Sequence, residues 1–201
     1  MNPRVWIKSR LADRALAPLR SELVDHIDHG SVLLEIGCGT GALMFHAASK
    51  ISYGYGIDLD CDMINYAVKK CRQKNLANIE FACLDALTTD VSKYDIATST
   101  LCLHELKEDS ACAILETMIN SADKVLIADY SEPNSFSGKV GIEMDEFISG
   151  HYRNFRKYRK NGWMPAYAKR VGARINSVTP SVIDGITIWE LKKDMHIMSQ
   201  A

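Results

Sequence analysis

The sequence has almost no net charge to direct it, since 24 Lys and Arg stand against 25 Asp and Glu for a formal charge of −1. That balance gives no general pull toward nucleic acid or an anionic membrane. No apolar run reaches the length of a membrane-spanning helix, and no signal peptide is visible. The six cysteines, Cys38, Cys61, Cys71, Cys83, Cys102 and Cys112, lack paired metal-ligand spacing and fall mostly in apolar or helical contexts. They read as buried thiols in a reducing compartment and not as a disulfide framework, with no metal expected and the cytoplasm as the default location. Internal repeats and low-complexity tracts are also missing. With 201 residues the chain is most naturally one domain, 1–201, and shorter than a two-domain dehydrogenase normally needs. A hydrophobic content of 47% with 24% charged residues is ordinary for a globular chain, which sets disorder aside.

What is present is organised around Val32-Leu33-Leu34-Glu35-Ile36-Gly37-Cys38-Gly39-Thr40-Gly41. Its first half is a short apolar run ending at a turn signal, the pattern of a buried parallel strand. Its second half places glycine at 37, 39 and 41, where backbone can press against a ligand without a Cβ in the way. Ala42 to Ala48 continues with helical character. A strand, a glycine turn and a helix N-terminus together offer backbone N–H donors to a nucleotide-like cofactor. The spacing Gly37-x-Gly39-x-x-Ala42 also satisfies a loose dinucleotide fingerprint, so the glycines alone do not name the ligand. Charge discriminates better. Glu35 precedes the loop, and Asp58 and Asp85 close the next two strand-like segments, Tyr55-Gly56-Ile57 and Ile79 to Cys83. Three carboxylates would repel a pyrophosphate but suit a sulfonium, an ammonium, ribose hydroxyls and an adenine amine. S-adenosylmethionine carries all of these and no phosphate.

Four pieces in order then resemble the class I S-adenosylmethionine-dependent methyltransferases. They are Glu35 to Gly41, Gly56-Ile57-Asp58-Leu59-Asp60, Cys83-Leu84-Asp85-Ala86, and Tyr94-Asp95-Ile96 through Leu103-His104-Glu105-Leu106. The resemblance covers roughly the middle half of the chain. It implies that Glu35, Gly37, Cys38, Gly39 and Gly41 hold the methionine end of the cofactor, and that Asp58 takes the ribose hydroxyls. Asp85 and Ala86 would contact adenine, and Leu59 would pack on its face or enter the core. Thr100 and Leu101 would meet the cofactor at the carboxyl edge of the sheet. The plainer alternatives are a turn or helix cap for Asp58 and an ordinary loop residue for Asp85.

The rest of the chain supports the same architecture. Residues 4–29, with Val5, Ile7, Leu11, Leu16, Leu19, Leu23, Val24 and Ile27 at broadly helical spacing, predict one or two leading helices. By resemblance such helices pack over the cofactor or substrate mouth, and the alternative is simple cover for a sheet face. A helix over 60–74 starts at Asp60 or Asp62, and another opens at Glu108-Asp109. Strands are expected at Asp95–Ser99 and Lys124–Asp129, then at Arg174–Thr179 and Ile186–Leu191. The last two are joined by a short connection that implies antiparallel pairing. The expected fold is α/β: a mostly parallel seven-stranded sheet, helices on both faces, and a C-terminal antiparallel strand. Residues 131–138 read as a loop and 142–160 as a helix with Ile142, Phe147, Ile148, Tyr152 and Phe155 among its apolar members. Gly162 stops that helix and Pro165 opens the next, ending near Gly172. The segment 131–162 is expected to be a lid insertion.

Candidates for chemistry are fewer. His104 has a side chain that titrates near neutrality and so could act as a general base, or it could be a hydrogen-bonded structural histidine. Glu105 stands where many members of the resembling family have a second histidine. Tyr130 could shape the substrate pocket, and Asp129 could stabilise the following loop. In His151 to Lys160, Tyr152, Phe155 and Tyr158 recur every three residues among basic side chains. That pattern fits a helix packing its aromatics, a lid in which His151 and Tyr152 touch an acidic substrate, or a nucleic-acid contact; the last is disfavoured by the net charge. No Asn-Pro-Pro-Tyr motif is present. The expected activity is in-line methyl transfer from S-adenosylmethionine to a small-molecule acceptor. A non-catalytic cofactor-binding scaffold and an NAD-dependent oxidoreductase are the alternatives. The acceptor atom and the oligomeric state stay open.

Overall fold

The computed structural model describes residues 5, 8–89 and 93–194. Seven strands form one sheet: β1 Val32–Ile36, β2 Tyr53–Asp58, β3 Ile79–Cys83, β4 Tyr94–Thr100, β5 Ala122–Tyr130, β6 Ala173–Pro180 and β7 Ile186–Lys193. Their order is β3-β2-β1-β4-β5-β7-β6. β1 to β5 pair in parallel, and β7 runs antiparallel to both β5 and β6. Among the described residues, the helices of six residues or more that flank it are α1 Ala17–Asp25, α2 Ala42–Ala47, α3 Cys61–Gln73, α4 Glu108–Ser121, α5 Phe136–Ser149, α6 Tyr152–Asn161 and α7 Trp163–Arg170. A wide helical stretch, Lys8–Ala12, and a single turn, Asp13–Ala15, lead into α1.

The two-residue period of the strands divides the core in two. Leu34, Ala97, Val125, Ile127 and Trp189 point to one face, where α4, α6 and α7 supply Leu115, Met118, Tyr158, Met164 and Tyr167. Leu33, Ile96, Leu126, Ala128 and Ile188 point to the other, against Leu19 and Leu23 of α1 and Leu43 and Met44 of α2. Burial on both faces explains the apolar runs Val32–Leu34 of β1 and Val125–Ala128 of β5. Among the described residues no helix is long and apolar enough to cross a membrane.

The mostly parallel sheet, its helices on both faces and the reversed β7 match the expected class. Asp60 caps α3, its carboxylate accepting the N–H groups of Asp62 and Met63. Three details differ. First, the helix expected over 142–160 is two helices parted by Gly150 at φ +85°, a left-handed geometry that glycine adopts without strain. Second, α5 begins six residues earlier than expected. Ser135 caps it by accepting the Gly138 N–H at 2.9 Å, and Asp184, from the β6–β7 connection, accepts the N–H groups of Asn134 and Ser135. Third, the apolar residues named in that helix do not share one environment: Phe147 and Ile148 are exposed, while Ile142 and Phe155 are buried. In the leading segment, Ile7 lies outside the described residues, as does residue 4, where the helical region was expected to begin.

Candidate functional site

β1 and β4 are adjacent, but the chain leaves their carboxyl ends in different directions, toward α2 and toward the turn Leu103–Glu105. Such a switch point opens a crevice at the end of an α/β sheet. The glycine turn fills one side of it. Gly37, Gly39 and Gly41 all have positive φ, at +74°, +52° and +74°. A Cβ on Gly37 would meet Cys102 Sγ at 2.5 Å and one on Gly41 would meet Phe81 at 2.5 Å, whereas one on Gly39 would meet nothing within 4 Å. Two glycines therefore serve packing, and the third leaves an open side. Leu101, directly after β4, also has positive φ, +48°, a rare geometry for leucine that turns the chain at the crevice.

The carboxylates gather here. Asp58 Oδ2 accepts the Gly39 N–H at 2.7 Å and Oδ1 accepts the Asp60 N–H at 2.8 Å, which ties the end of β2 to the glycine turn and leaves lone pairs free. The cap reading and the ligand reading of Asp58 are thus compatible. Glu35 is buried and its Oε2 has no hydrogen-bond partner among the described residues. Burial, with Asp58 and Asp13 nearby and only partly offset by Arg20, pushes its carboxyl up to about 8. Thr100 Oγ1 is likewise buried without a partner. Unpaired buried acceptors are costly, so an orphan pair at the mouth of a crevice marks a place for a donor-bearing ligand. S-adenosylmethionine, whose ammonium and hydroxyls are donors, fits them.

Asp85 folds into a local turn, accepting the Leu87 N–H at 2.9 Å, and Ala86 is buried in the core. The β2–β3 register brings Asp58 opposite Cys83, so Asp85 lies two residues beyond the same edge. Leu59 is 68% exposed, which excludes the core role and leaves its side chain available to a ligand. Cys38 is buried beside the turn, where burial, Glu35 and Asp58 hold its thiol well above the usual range. Asp13 and Arg20, in this region, carried no sequence signal. Asp13 pairs with Arg20 at 3.0 Å and accepts the Thr40 hydroxyl at 2.8 Å, fastening the leading segment onto the glycine turn. The leading helices therefore both cover a sheet face and reach the cofactor loop.

One expectation is overturned nearby. Cys61 and Cys83 form a disulfide, with Cα atoms 5.1 Å apart, so they are not buried thiols. They are 22 positions apart in sequence, and only the β2–β3 register and the start of α3 bring them together. The other four cysteines are free.

A second cluster lies at the end of β5. His104, Asp129 and Glu146 are all buried. His104 Nδ1 is paired with Asp129 Oδ1, and Nε2 lies 3.1 Å from Glu146 Oε1 on α5. Asp129 Oδ1 also accepts the Tyr130 N–H at 2.7 Å. Burial alone would lower the histidine's pKa, but the Asp129 charge and the hydrogen bonds to both carboxylates outweigh it and push it up to about 10. Both ring nitrogens are thus engaged by carboxylates, the arrangement of the hydrogen-bonded structural histidine that the sequence also allowed. Tyr130 packs against the same cluster. Its hydroxyl donates to Asp145 Oδ2 at 2.9 Å, its ring lies against His104 and Phe155, and burial raises its pKa far above the usual phenol range. Asp129 thus ties the turn Leu103–Glu105 to the end of β5, accepting from the backbone N–H groups of both His104 and Tyr130.

Of the basic aromatic stretch, Phe155 and Tyr158 pack in the core, whereas Tyr152 is half-buried with Arg156 over its ring at 5.8 Å. His151 Nδ1 lies 2.9 Å from Glu105 Oε2, where α6 meets the turn Leu103–Glu105. A cavity of about 810 Å³ opens beside Tyr152, Arg156, Lys160 and Trp163, away from the glycine turn.

Comparison with known proteins agrees with this arrangement. A family profile described as a methyltransferase domain matches residues 33–124. The chain is 39% identical over 84 residues to aklanonic acid methyltransferase DauC of Streptomyces sp. (strain C5), a match covering 39% of this chain and 38% of that protein. It thus spans well under half the length of this curated relative. The mitomycin 7-O-methyltransferase MmcR superposes with a TM-score of 0.68 at 16% identity, covering 94% of this chain and 60% of that one. The O-methyltransferase NcsB1 from neocarzinostatin biosynthesis, in complex with S-adenosylmethionine and 2-hydroxy-5-methyl naphthoic acid, superposes with a TM-score of 0.68 at 15% identity, over 92% of this chain and 56% of that one. At such identities the structural likeness concerns the fold.

Proposed function

We propose that the chain, whose residues 33–124 match a methyltransferase domain, is a class I S-adenosylmethionine-dependent methyltransferase that transfers a methyl group from S-adenosylmethionine to a small organic acceptor. The observation that carries this reading is Glu35 Oε2, a buried carboxylate oxygen left without a partner beside the glycine turn. Glu35 and Thr100 hold the methionine end, Asp58 takes the ribose hydroxyls with the lone pairs its backbone contacts leave free, and Leu59 and Asp85 border the adenine. When bound, the cofactor supplies a methyl group already activated on a sulfonium. The protein's own task is alignment and exclusion of water. His104 contributes by holding α5 against β5, since both its nitrogens are committed. In this reading 131–162 is a lid, and its cations with His151 and Tyr152 receive an acidic aromatic acceptor. The name of DauC and the naphthoic acid bound to NcsB1 support that class. A cytoplasmic location belongs to the same proposal and is supported by the four free cysteines.

Calorimetric titration with S-adenosylmethionine, S-adenosylhomocysteine and NAD tests the reading. Saturable binding of the first two is expected, weakened about tenfold or more in Asp58→Ala, which loses a charged acceptor. Binding of NAD alone would overturn the assignment. Cofactor binding without methyl transfer to any of a panel of aromatic acids would favour the scaffold alternative.

A further inference from the structure

The Cys61–Cys83 bridge joins the first residue of α3 to the last residue of β3. Cys61 is exposed and Cys83 half-buried, in contrast to the buried Cys38, Cys71 and Cys112, so a small thiol can reach the pair. The bridge is flanked by two loops. On one side lies Asp58-Leu59-Asp60, and on the other Leu84-Asp85-Ala86. The Leu84 N–H donates to the Asp58 carbonyl at 3.1 Å, and Cys83 Sγ lies 3.7 Å from the Leu59 carbonyl oxygen. Asp58 in turn accepts from Gly39, so a shift of either loop reaches the glycine turn through a single carboxylate.

We propose that Cys61 and Cys83 are a reversible thiol–disulfide site that sets the affinity of the adenosine end of the cofactor crevice. The inference rests on the reading of Asp58 and Asp85 as adenosine-binding residues. Its chemistry requires a low-molecular-weight disulfide such as oxidised glutathione. One cysteine thiolate attacks that disulfide and releases one glutathione thiolate; the second cysteine attacks the mixed disulfide and releases another. Two protein thiols are oxidised, one glutathione disulfide is reduced to two thiols, and the two protons pass to the released thiolates. Reduction is the reverse. While bridged, the two loops are held at one separation and binding need not order them. Once opened, part of the binding energy goes into bringing them together.

The test is calorimetric titration of the full chain with S-adenosylhomocysteine after equilibration in oxidised or reduced glutathione, with thiols counted by alkylation and mass. The oxidised protein should show two fewer alkylated thiols and bind about tenfold more tightly, the scale expected from pre-organising a few side chains. The double variant Cys61→Ser/Cys83→Ser should bind at the reduced-protein affinity in both buffers. Equal affinity of the bridged and opened protein overturns the inference. So does failure of the pair to bridge in oxidised glutathione, or redox dependence that persists in the double variant. Absence of binding in every form strikes the cofactor reading itself, whereas binding that ignores redox state strikes this inference alone.

Discussion

Two buried acidic groups sit near the ends of strands parted only by β4 and are treated in opposite ways. At the end of β1, Glu35 is buried with an orphaned oxygen and a carboxyl pushed up to about 8. At the end of β5, Asp129 is equally buried but shares an imidazolium with Glu146. Burying a charge is costly unless it is paired, so each arrangement carries information. The paired cluster is architecture: it holds α5 on the sheet and uses up the hydrogen-bonding capacity of His104. The unpaired oxygen marks the place left for a ligand. On the proposed reading, a histidine of familiar catalytic type belongs to the frame and the glutamate ahead of the glycine turn belongs to the site.

The largest expected effect breaks the paired side. His104→Ala leaves two buried carboxylates without their cation and should cost about 3–5 kcal/mol, measured by urea unfolding. A loss under about 1 kcal/mol would mean that the cluster does not hold α5. The next change touches the unpaired side. Glu35→Gln should weaken S-adenosylhomocysteine binding by about tenfold to a hundredfold, one charge-assisted hydrogen bond, while leaving the unfolding midpoint unchanged or higher. A stability loss with intact binding would reverse the contrast.

The smallest effect is one of pH. Glu35 has its pKa raised on folding, so in the cofactor-free protein its contribution to stability is complete below about pH 4.5 and is lost as pH rises through about 8. His104 is raised as well, and its contribution is complete below about pH 6.5 and lost as pH rises through about 10. Stability of the apoprotein should therefore decline between pH 5 and 8, through Glu35 first and through His104 as well above about pH 6.5, and Glu35→Gln should remove the part of the slope below about pH 6.5. Unfolding curves of both proteins at pH 5, 6.5 and 8 would show it. An unchanged slope in the variant would locate the dependence elsewhere.

Most of the fold was legible because it is local. Apolar runs marked β1 and β5, and the glycine turn with its three acids marked the crevice. What stayed hidden depends on distant partners. Glu146 meets His104 only after α5 folds back over β5, so nothing near His104 in sequence shows that both its nitrogens are taken. Cys61 finds Cys83 through strand register, and Asp13 finds Thr40 across 27 positions. The start of α5 was hidden for the same reason, because Ser135 looks like one more loop residue until Asp184 is brought beside it.

The place of β7 has a consequence for how the chain assembles. It is the most C-terminal of the seven strands described, yet it lies between β5 and β6. As the chain leaves the ribosome, β5 presents an open edge through the synthesis of α5, α6, α7 and β6. None of these closes it, and only Ile186 to Lys193 can do so. Such late, non-local pairing slows folding and lengthens the time during which an apolar edge is available to other chains. Asp184, in the turn just before β7, belongs to the same final step, so the clasp at the start of α5 cannot close before the C-terminal hairpin is made.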